Sequence, residues 1–473
     1  MTSPTTNPLA PAWLRVPADA NSLDPAIWPG SATRRGGELT VGGIRASELA
    51  ATYGTPVYVV DEADARRRAA EILGVFTDAF AGIGTTVKVY YAAKAFLSVG
   101  VARWMQELGL RLDVASDGEF AVALAAGFDP ARIGYHGNNK SVREIEAAVE
   151  AGVGSIILDN RAELDHVLRA ARERGVRQGL RIRVNSGVHA STHEFLATAR
   201  EDQKFGLPVQ DIPEIVAAIR AEPNLTFLGL HSHIGSQIFD TAGFGEAARR
   251  LLELQAELLE GGPVPELNLG GGFGIAYTVA DDPAPIGDIA RGMAEIVGAE
   301  CARLGIPVPV VAIEPGRSII GPAGVTLYEA GTIKDVRVET DGGSAVRRYV
   351  SVDGGMSDNP RPELYGAEYS VRIASRESSA EPALVRVAGK HCESGDIVVN
   401  ADYLPGDVRT GDLLAVPATG AYCWSLASNY NHLGRPPVVA VRDGSSRLLV
   451  RGETIADLLR RDADATPAAQ EAP

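Results

Sequence analysis

Read for its alternation of apolar and polar positions, the chain changes period twice. Asp61 stands as the N-cap of a predicted helix in which Ala65, Ala69, Ile72, Phe76 and Phe80, spaced by three and four, share one face. From Val87 to about Ile313 short apolar runs recur, each followed by helix-forming residues: 87–91, 111–115, 132–135, 155–158, 180–184, 227–231, 266–269 and 309–313. Eight strands alternating with helices predict an α/β fold, a (β/α)8 TIM-type barrel with its site at the C-terminal ends of the strands. After Gly321 the pattern turns to strand-type alternation, as in Arg347 to Val352, Leu384 to Val387, Leu413 to Val416 and Val438 to Val441, separated by Gly, Pro and Asp turns. A second, mainly antiparallel β-domain is expected there.

The expected organisation is an irregular segment over 1–38, a strand region over 39–60, a barrel over 61–320, the β-domain over 321–461 and a tail over 462–473. Pro56 to Val60 reads as a strand that belongs to either domain. Residues 1–38 are rich in Pro, Ser, Thr, Asn and Gly, and the tail has no large apolar residue, so both ends are expected to lack fixed structure.

A length of 473 residues exceeds one ordinary core and agrees with two domains. The net charge of −15 argues against a nucleic-acid partner. The nearest thing to a basic run, Arg66, Arg67 and Arg68, reads as a solvated helix face. Cys301, Cys392 and Cys423 show no metal-type or disulfide-type pairing, which suits a reducing cytosol. No signal-peptide core and no membrane-length apolar run is apparent, so the expected location is cytoplasmic, with no membrane partner.

A barrel of this kind should carry unusual polar or glycine residues just after each strand. Lys94, Ser116, His136 with Asn138, Asp159, Asn185, His233, Gly270 to Gly272, and Glu314 with Arg317 all fall there. Lys94, in Tyr90-Tyr91-Ala92-Ala93-Lys94-Ala95-Phe96, is expected to be buried among apolar neighbours, which would make its amine nucleophilic; a surface lysine is the plainer alternative. Gly270-Gly271-Gly272 follows the seventh strand, where barrels often bind phosphate and where glycines admit backbone N–H groups to an oxyanion; a tight turn would use glycines too. Glu314 and Arg317 share the rim after the eighth strand. They could form a salt bridge, but beside a phosphate and a reactive lysine they suit a carboxylate holding a pyridinium nitrogen protonated and an arginine binding anionic oxygen. His189 and His193 have ligand-like spacing but no third ligand, so no metal is expected.

Tyr91-Ala92-Ala93-Lys94, His231-Ser232-His233-Ile234-Gly235-Ser236-Gln237, Gly270-Gly271-Gly272, Glu314-Pro315-Gly316-Arg317 and Cys392-Glu393-Ser394-Gly395-Asp396 together resemble the fold-type III pyridoxal-phosphate decarboxylases over roughly residues 39 to 455. His136-Gly137-Asn138-Asn139-Lys140, Asp353 to Asn359 with Arg361 and Tyr365, and Gly420-Ala421-Tyr422 followed by Ser428 to Asn431 resemble the diaminopimelate decarboxylase branch.

The resemblance implies decarboxylation of meso-2,6-diaminopimelate to L-lysine and CO2 with pyridoxal 5′-phosphate. It implies that Lys94 holds the cofactor covalently, His233 stacks on its ring, Glu314 meets the ring nitrogen, and Ser236, Gly271, Gly272, Gly316, Arg317 and Tyr422 bind it. It further implies that Arg317, Arg361, Tyr365, Glu393 and Tyr422 bind substrate, and that Cys392 donates a proton. Because the Cys392 loop reaches a partner subunit's site in the family, a homodimer with shared sites follows. The alternatives are another basic amino-acid decarboxylase on the same fold and a non-catalytic cofactor-binding homologue.

Overall fold

The computed structural model describes residues 7–188, 204–340 and 343–465 and divides into two compact units. One comprises Arg66–Gly274 and Pro283–Ser318. The other takes in the N-terminal residues through Ala65, Ile275–Asp282 and the chain from Ile319 onward.

The first unit is built on eight parallel strands: Val87–Ala92, Arg111–Val114, Ile133–Tyr135, Ser155–Leu158, Gln178–Asn185, Leu225–His231, Glu266–Asn268 and Val310–Ile313. Each pairs with the next, and the eighth returns to the first with Val311 opposite Val87, so the barrel is closed. The eight runs read from the sequence are these eight strands. A two-residue strand, Leu207–Pro208, adds in parallel to the fifth and carries no apolar run long enough to be noticed.

Short polar residues start the helices. Ser98, Ser116, Ser141 and Asn160 each accept the N–H of the third residue of the following helix, supplying a donor-starved terminus with an acceptor. Ser116, expected among the rim residues, is such a cap. Inside the barrel Arg181 is almost fully buried. Its guanidinium donates to Glu266 Oε2 (Nε, 3.0 Å), Ser155 Oγ (3.0 Å) and Tyr90 Oη (2.8 Å), and Lys88 pairs with the same glutamate. Each buried charge there is compensated by another, which makes removal of one partner costly.

In the second unit the strand Val57–Asp61 lies between Gly324–Thr340, antiparallel to it, and Val438–Arg442, parallel to it. The sheet continues through Gly343–Val352, Pro382–Ala388 and Ile397–Pro405 on one side and Ser445–Val450 on the other. Leu413–Pro417 also pairs antiparallel with Gly324–Thr340. Asp61 caps the helix Glu62–Ala81 through the N–H of Asp64 at 3.1 Å.

The N-terminal segment corrects an expectation. Residues 7–32 form no strand or helix, yet Leu14 packs with Leu384, Ala401 and Tyr403, and Ile27 and Trp28 join Val57, Val59, Val325, Leu327, Val439 and Val441 in one core. A few large apolar anchors fix a chain whose polar composition conceals them, since burial of one such side chain contributes about 1.5–3 kcal/mol. At the other end the short helix Ile455–Leu459 closes the described chain. No helix among the described residues is long and apolar enough to cross a membrane.

Candidate active site

The C-terminal ends of the barrel strands enclose a cavity of about 400 Å³, lined by Lys94, Asp113, Glu119, His136, Arg183, His231, His233, Gly235 and Glu314 among others. Lys94 sits in a one-turn 3-10 helix, Ala93–Ala95, directly after the first strand. Ala93, Ala95, Tyr91 and Phe96 are buried, but Lys94 itself is exposed to the cavity. The expectation that burial activates its amine is therefore corrected: the turn anchors the backbone by its neighbours and leaves the amine in the open mouth.

Glu314 is the electrostatic centre. Its carboxylate accepts from Asn268 Nδ2 at 2.7 Å, and His231 Nε2 lies 3.1 Å from Oε1. Burial opposes its charge, but His231 and His136 outweigh that and hold it well below the usual carboxylate range. Asp113 shows the opposite effect. Burial first, and then the negative charge of Glu314, push it well above that range, and neither of its oxygens has a hydrogen-bond partner. The two buried carboxylates are therefore driven in opposite directions, with the negative charge favoured on Glu314. His136 Nε2 lies 3.2 Å from Asp113 Oδ1 and 3.4 Å from Glu314 Oε1, without hydrogen-bond geometry to either. Burial lowers His136 and His231 to about 4, so both are neutral imidazoles. His233 is likewise lowered by burial and by Lys94, and its Nδ1 accepts the Gly271 N–H at 3.3 Å.

The glycine loop after the seventh strand packs so closely on neighbouring backbone that no side chain fits there. A Cβ on Gly271 would stand 2.1 Å from the Glu314 carbonyl oxygen, and one on Gly272, whose φ is +111°, would stand 2.4 Å from that of Gly235. Across the rim Arg317 donates to Ser236 Oγ at 2.8 Å, bringing together two residues expected to bind anionic oxygen. Gly316 packs against Ala92 and Ala95, where a Cβ would meet theirs at about 3.0 Å; it fits the eighth loop against the lysine turn.

The remaining expected residues belong to the second unit. Cys392 and Glu393 are exposed on a loop whose base is fixed by Asp396, which accepts the N–H groups of Met356 (2.6 Å) and His391 (2.7 Å). The Cys392 N–H meets Asn431 Oδ1 at 3.3 Å, and Glu393 accepts from Tyr430 Oη at 3.4 Å. Arg361 and Tyr365 occupy the short helix Arg361–Tyr365; the arginine is buried and the tyrosine is 67% exposed. Tyr422 holds a φ of +65°, a left-handed conformation rarely adopted by an aromatic residue and one that clusters at ligand sites. His189 and His193 lie outside the described residues.

Sequence reasoning missed Asp113, Arg183 and Glu119 and gave His231 no role of its own. A carboxylate inside the apolar run Leu112-Asp113-Val114, and a histidine ending the run 227–231, were the signals available. His136, His231 and Glu314 stand close enough to hold a metal ion. Asn268 and the two neutral imidazoles equally make them a seat for a protonated ring nitrogen. A lysine amine, a neutral imidazole, an ionised buried carboxylate and a glycine anion cradle around one cavity fit a phosphorylated pyridine aldehyde.

The family profile described as "Pyridoxal-dependent decarboxylase, pyridoxal binding domain" matches residues 69–321. The diaminopimelate decarboxylase of Mycobacterium tuberculosis (strain H37Rv) is 51% identical over 446 residues, covering 92% of this chain and 98% of that protein. That of Mycobacterium leprae is 52% identical over 443 residues, covering 92% of each. A crystal structure of diaminopimelate decarboxylase from M. jannaschii in complex with L-lysine superposes with a TM-score of 0.82 at 30% identity, covering 92% of this chain and 98% of that one.

Proposed function

Because the chain belongs to the pyridoxal-dependent decarboxylases and, within them, to the diaminopimelate decarboxylases, we propose that it converts meso-2,6-diaminopimelate into L-lysine and CO2. The observation that carries this reading is an accessible Lys94 that shares one cavity with Glu314, whose carboxylate is held by Asn268 and His231.

Pyridoxal phosphate, when bound, supplies the electron sink for the bond to the departing carboxylate. Lys94 holds it by its amine, and His233 offers a neutral flat ring. Glu314 keeps an ionised carboxylate for the ring nitrogen, with Asn268 and His231 fixing its direction. The turn at Gly271 and Gly272, with Ser236, Arg317 and Tyr422, would take the phosphate, and Gly316 keeps the loop close enough to serve.

Arg317, Arg361 and Tyr365 bind the carboxylate of the second amino-acid centre, Glu393 its ammonium, and Tyr422 lines the same place. Charge-assisted bonds of this kind reject a diamine or an amine-ended substrate, which would leave the arginines unpaired. Cys392 donates the proton that replaces CO2. The exposure of Cys392, Glu393 and Tyr365 supports a homodimer in which these residues serve a partner's site. Three cysteines without a disulfide support a cytoplasmic enzyme.

The test is Lys94→Ala. It should abolish turnover and the visible absorbance of the lysine-linked cofactor while leaving the fold intact; a fully active variant would sink the assignment.

A further inference from the structure

Arg361 has an unusual environment for a cation. It is 5% exposed, and no carboxylate among the described residues lies within ion-pair reach of it. It sits instead in an aromatic notch. Its guanidinium lies 4.8 Å from the ring centre of Tyr277 and 5.6 Å from that of Tyr369, and the two rings meet edge to face at 5.1 Å. A charge removed from water and met by ring faces and one neutral hydroxyl oxygen retains most of its demand for an anion.

The direction of that demand is set by a chain of hydrogen bonds. Arg361 donates to the Tyr369 hydroxyl oxygen. The Tyr369 hydroxyl also lies 3.6 Å from Cys423 Sγ, a pair in which either can donate, and the thiol stands 3.4 Å from Asn359 Oδ1. Tyr369, Cys423 and Asn359 are all buried, so water cannot replace a lost link. The Tyr369 oxygen thus gives one guanidinium N–H of Arg361 a fixed, buried partner.

We propose that Tyr369, aligned by Cys423 and backed by the ring of Tyr277, is the positioning residue that aims Arg361 at the carboxylate retained in the product, and thereby sets the preference for an amino-acid centre over a plain amine. The inference rests on the substrate reading above and adds residues that neither touch the cofactor nor reach the reacting bond. Tyr369→Phe keeps the ring and removes only the oxygen, Tyr277→Leu removes one ring face, and Cys423→Ser keeps a group that can pass the hydrogen bond on.

The experiment titrates the cofactor-loaded protein with L-lysine and with cadaverine, which carries both amines and no carboxylate, alongside steady-state kinetics on meso-diaminopimelate. Loss of one bond to a charged group corresponds to about a tenfold change. Tyr369→Phe should therefore weaken L-lysine and raise KM about tenfold, with a much smaller change in kcat and none in cadaverine affinity. Tyr277→Leu should act in the same direction, and Cys423→Ser should match wild type. Equal weakening of L-lysine and cadaverine, or no change in either, would overturn the proposal. Wild-type protein that binds L-lysine no better than cadaverine would overturn the substrate reading instead, before any variant is compared.

Discussion

Gly271→Ala tests the close fit of the glycine loop against the backbone of Glu314. The φ of Gly271 lies outside the left-handed region, so alanine meets no backbone penalty and the whole effect comes from the new methyl group. That methyl would stand 2.1 Å from the carbonyl oxygen of Glu314, whereas ordinary contact begins at 3.4 Å. The two backbones must part by about 1.3 Å, an overpacking that costs about 1–3 kcal/mol. Glu314 moves with its carbonyl, which stretches the 2.7 Å bond from Asn268 that directs the carboxylate. The expected result is a loss of about 1–3 kcal/mol in unfolding stability together with weaker cofactor binding, read by urea unfolding and by absorbance titration of the cofactor-free protein. Gly74→Ala is the internal comparison. It lies in the helix Glu62–Ala81 with open space around its Cβ and should stabilise by about 0.5–1 kcal/mol without touching cofactor affinity. A Gly271→Ala protein with wild-type affinity and wild-type thermal stability would refute the cradle.

Three further outcomes are expected. Arg181→Met should destabilise by about 3–5 kcal/mol in urea unfolding, because Glu266 then stays buried with a weakened partner set; a change under about 1 kcal/mol would show that the barrel interior is better solvated than its burial implies. His136 and His231 titrate at about 4 in the folded chain against an ordinary 6.5, so the unfolded chain binds more protons between those values. Their contribution is complete above about pH 6.5 and is lost as pH falls toward 4, and His136→Asn should lose less stability over that window than wild type. Mixing inactive Lys94→Ala with inactive Cys392→Ala should restore part of the activity if sites are shared between subunits, whereas a mixture as inactive as its components would place Cys392 in its own chain's site.

Much of this was legible before any coordinate. The barrel was readable because parallel strands covered on both faces are written as short apolar runs, and the run 155–158 is buried at every position. The strand Gly324–Thr340 was not singled out. Its first five residues are buried without interruption and most of the rest alternates, so no single period covers its 17 residues. Val57–Asp61 was readable as a strand, but its partners are more than 260 residues away in Gly324–Thr340 and more than 370 away in Val438–Arg442, a distance that periodicity cannot bridge. At the site, Lys94, His233, Gly271, Gly272 and Glu314 announced themselves by type and place after strands. Asp113 did not, because a lone carboxylate inside a strand is distinguished only by the burial and the neighbouring Glu314 that push its pKa up. The anchors Leu14 and Trp28 were hidden for a related reason: a polar segment needs only a few large side chains to be held.

The most direct test of the central claim is the release of CO2 and L-lysine by purified protein supplied with pyridoxal phosphate and offered meso-diaminopimelate, LL-diaminopimelate, ornithine and arginine in parallel. Turnover of the meso compound alone is the predicted result. Turnover of ornithine or arginine would contradict the roles given to Arg361, Tyr365 and Glu393 while leaving fold and cofactor in place, and turnover of none would contradict the assignment as a whole.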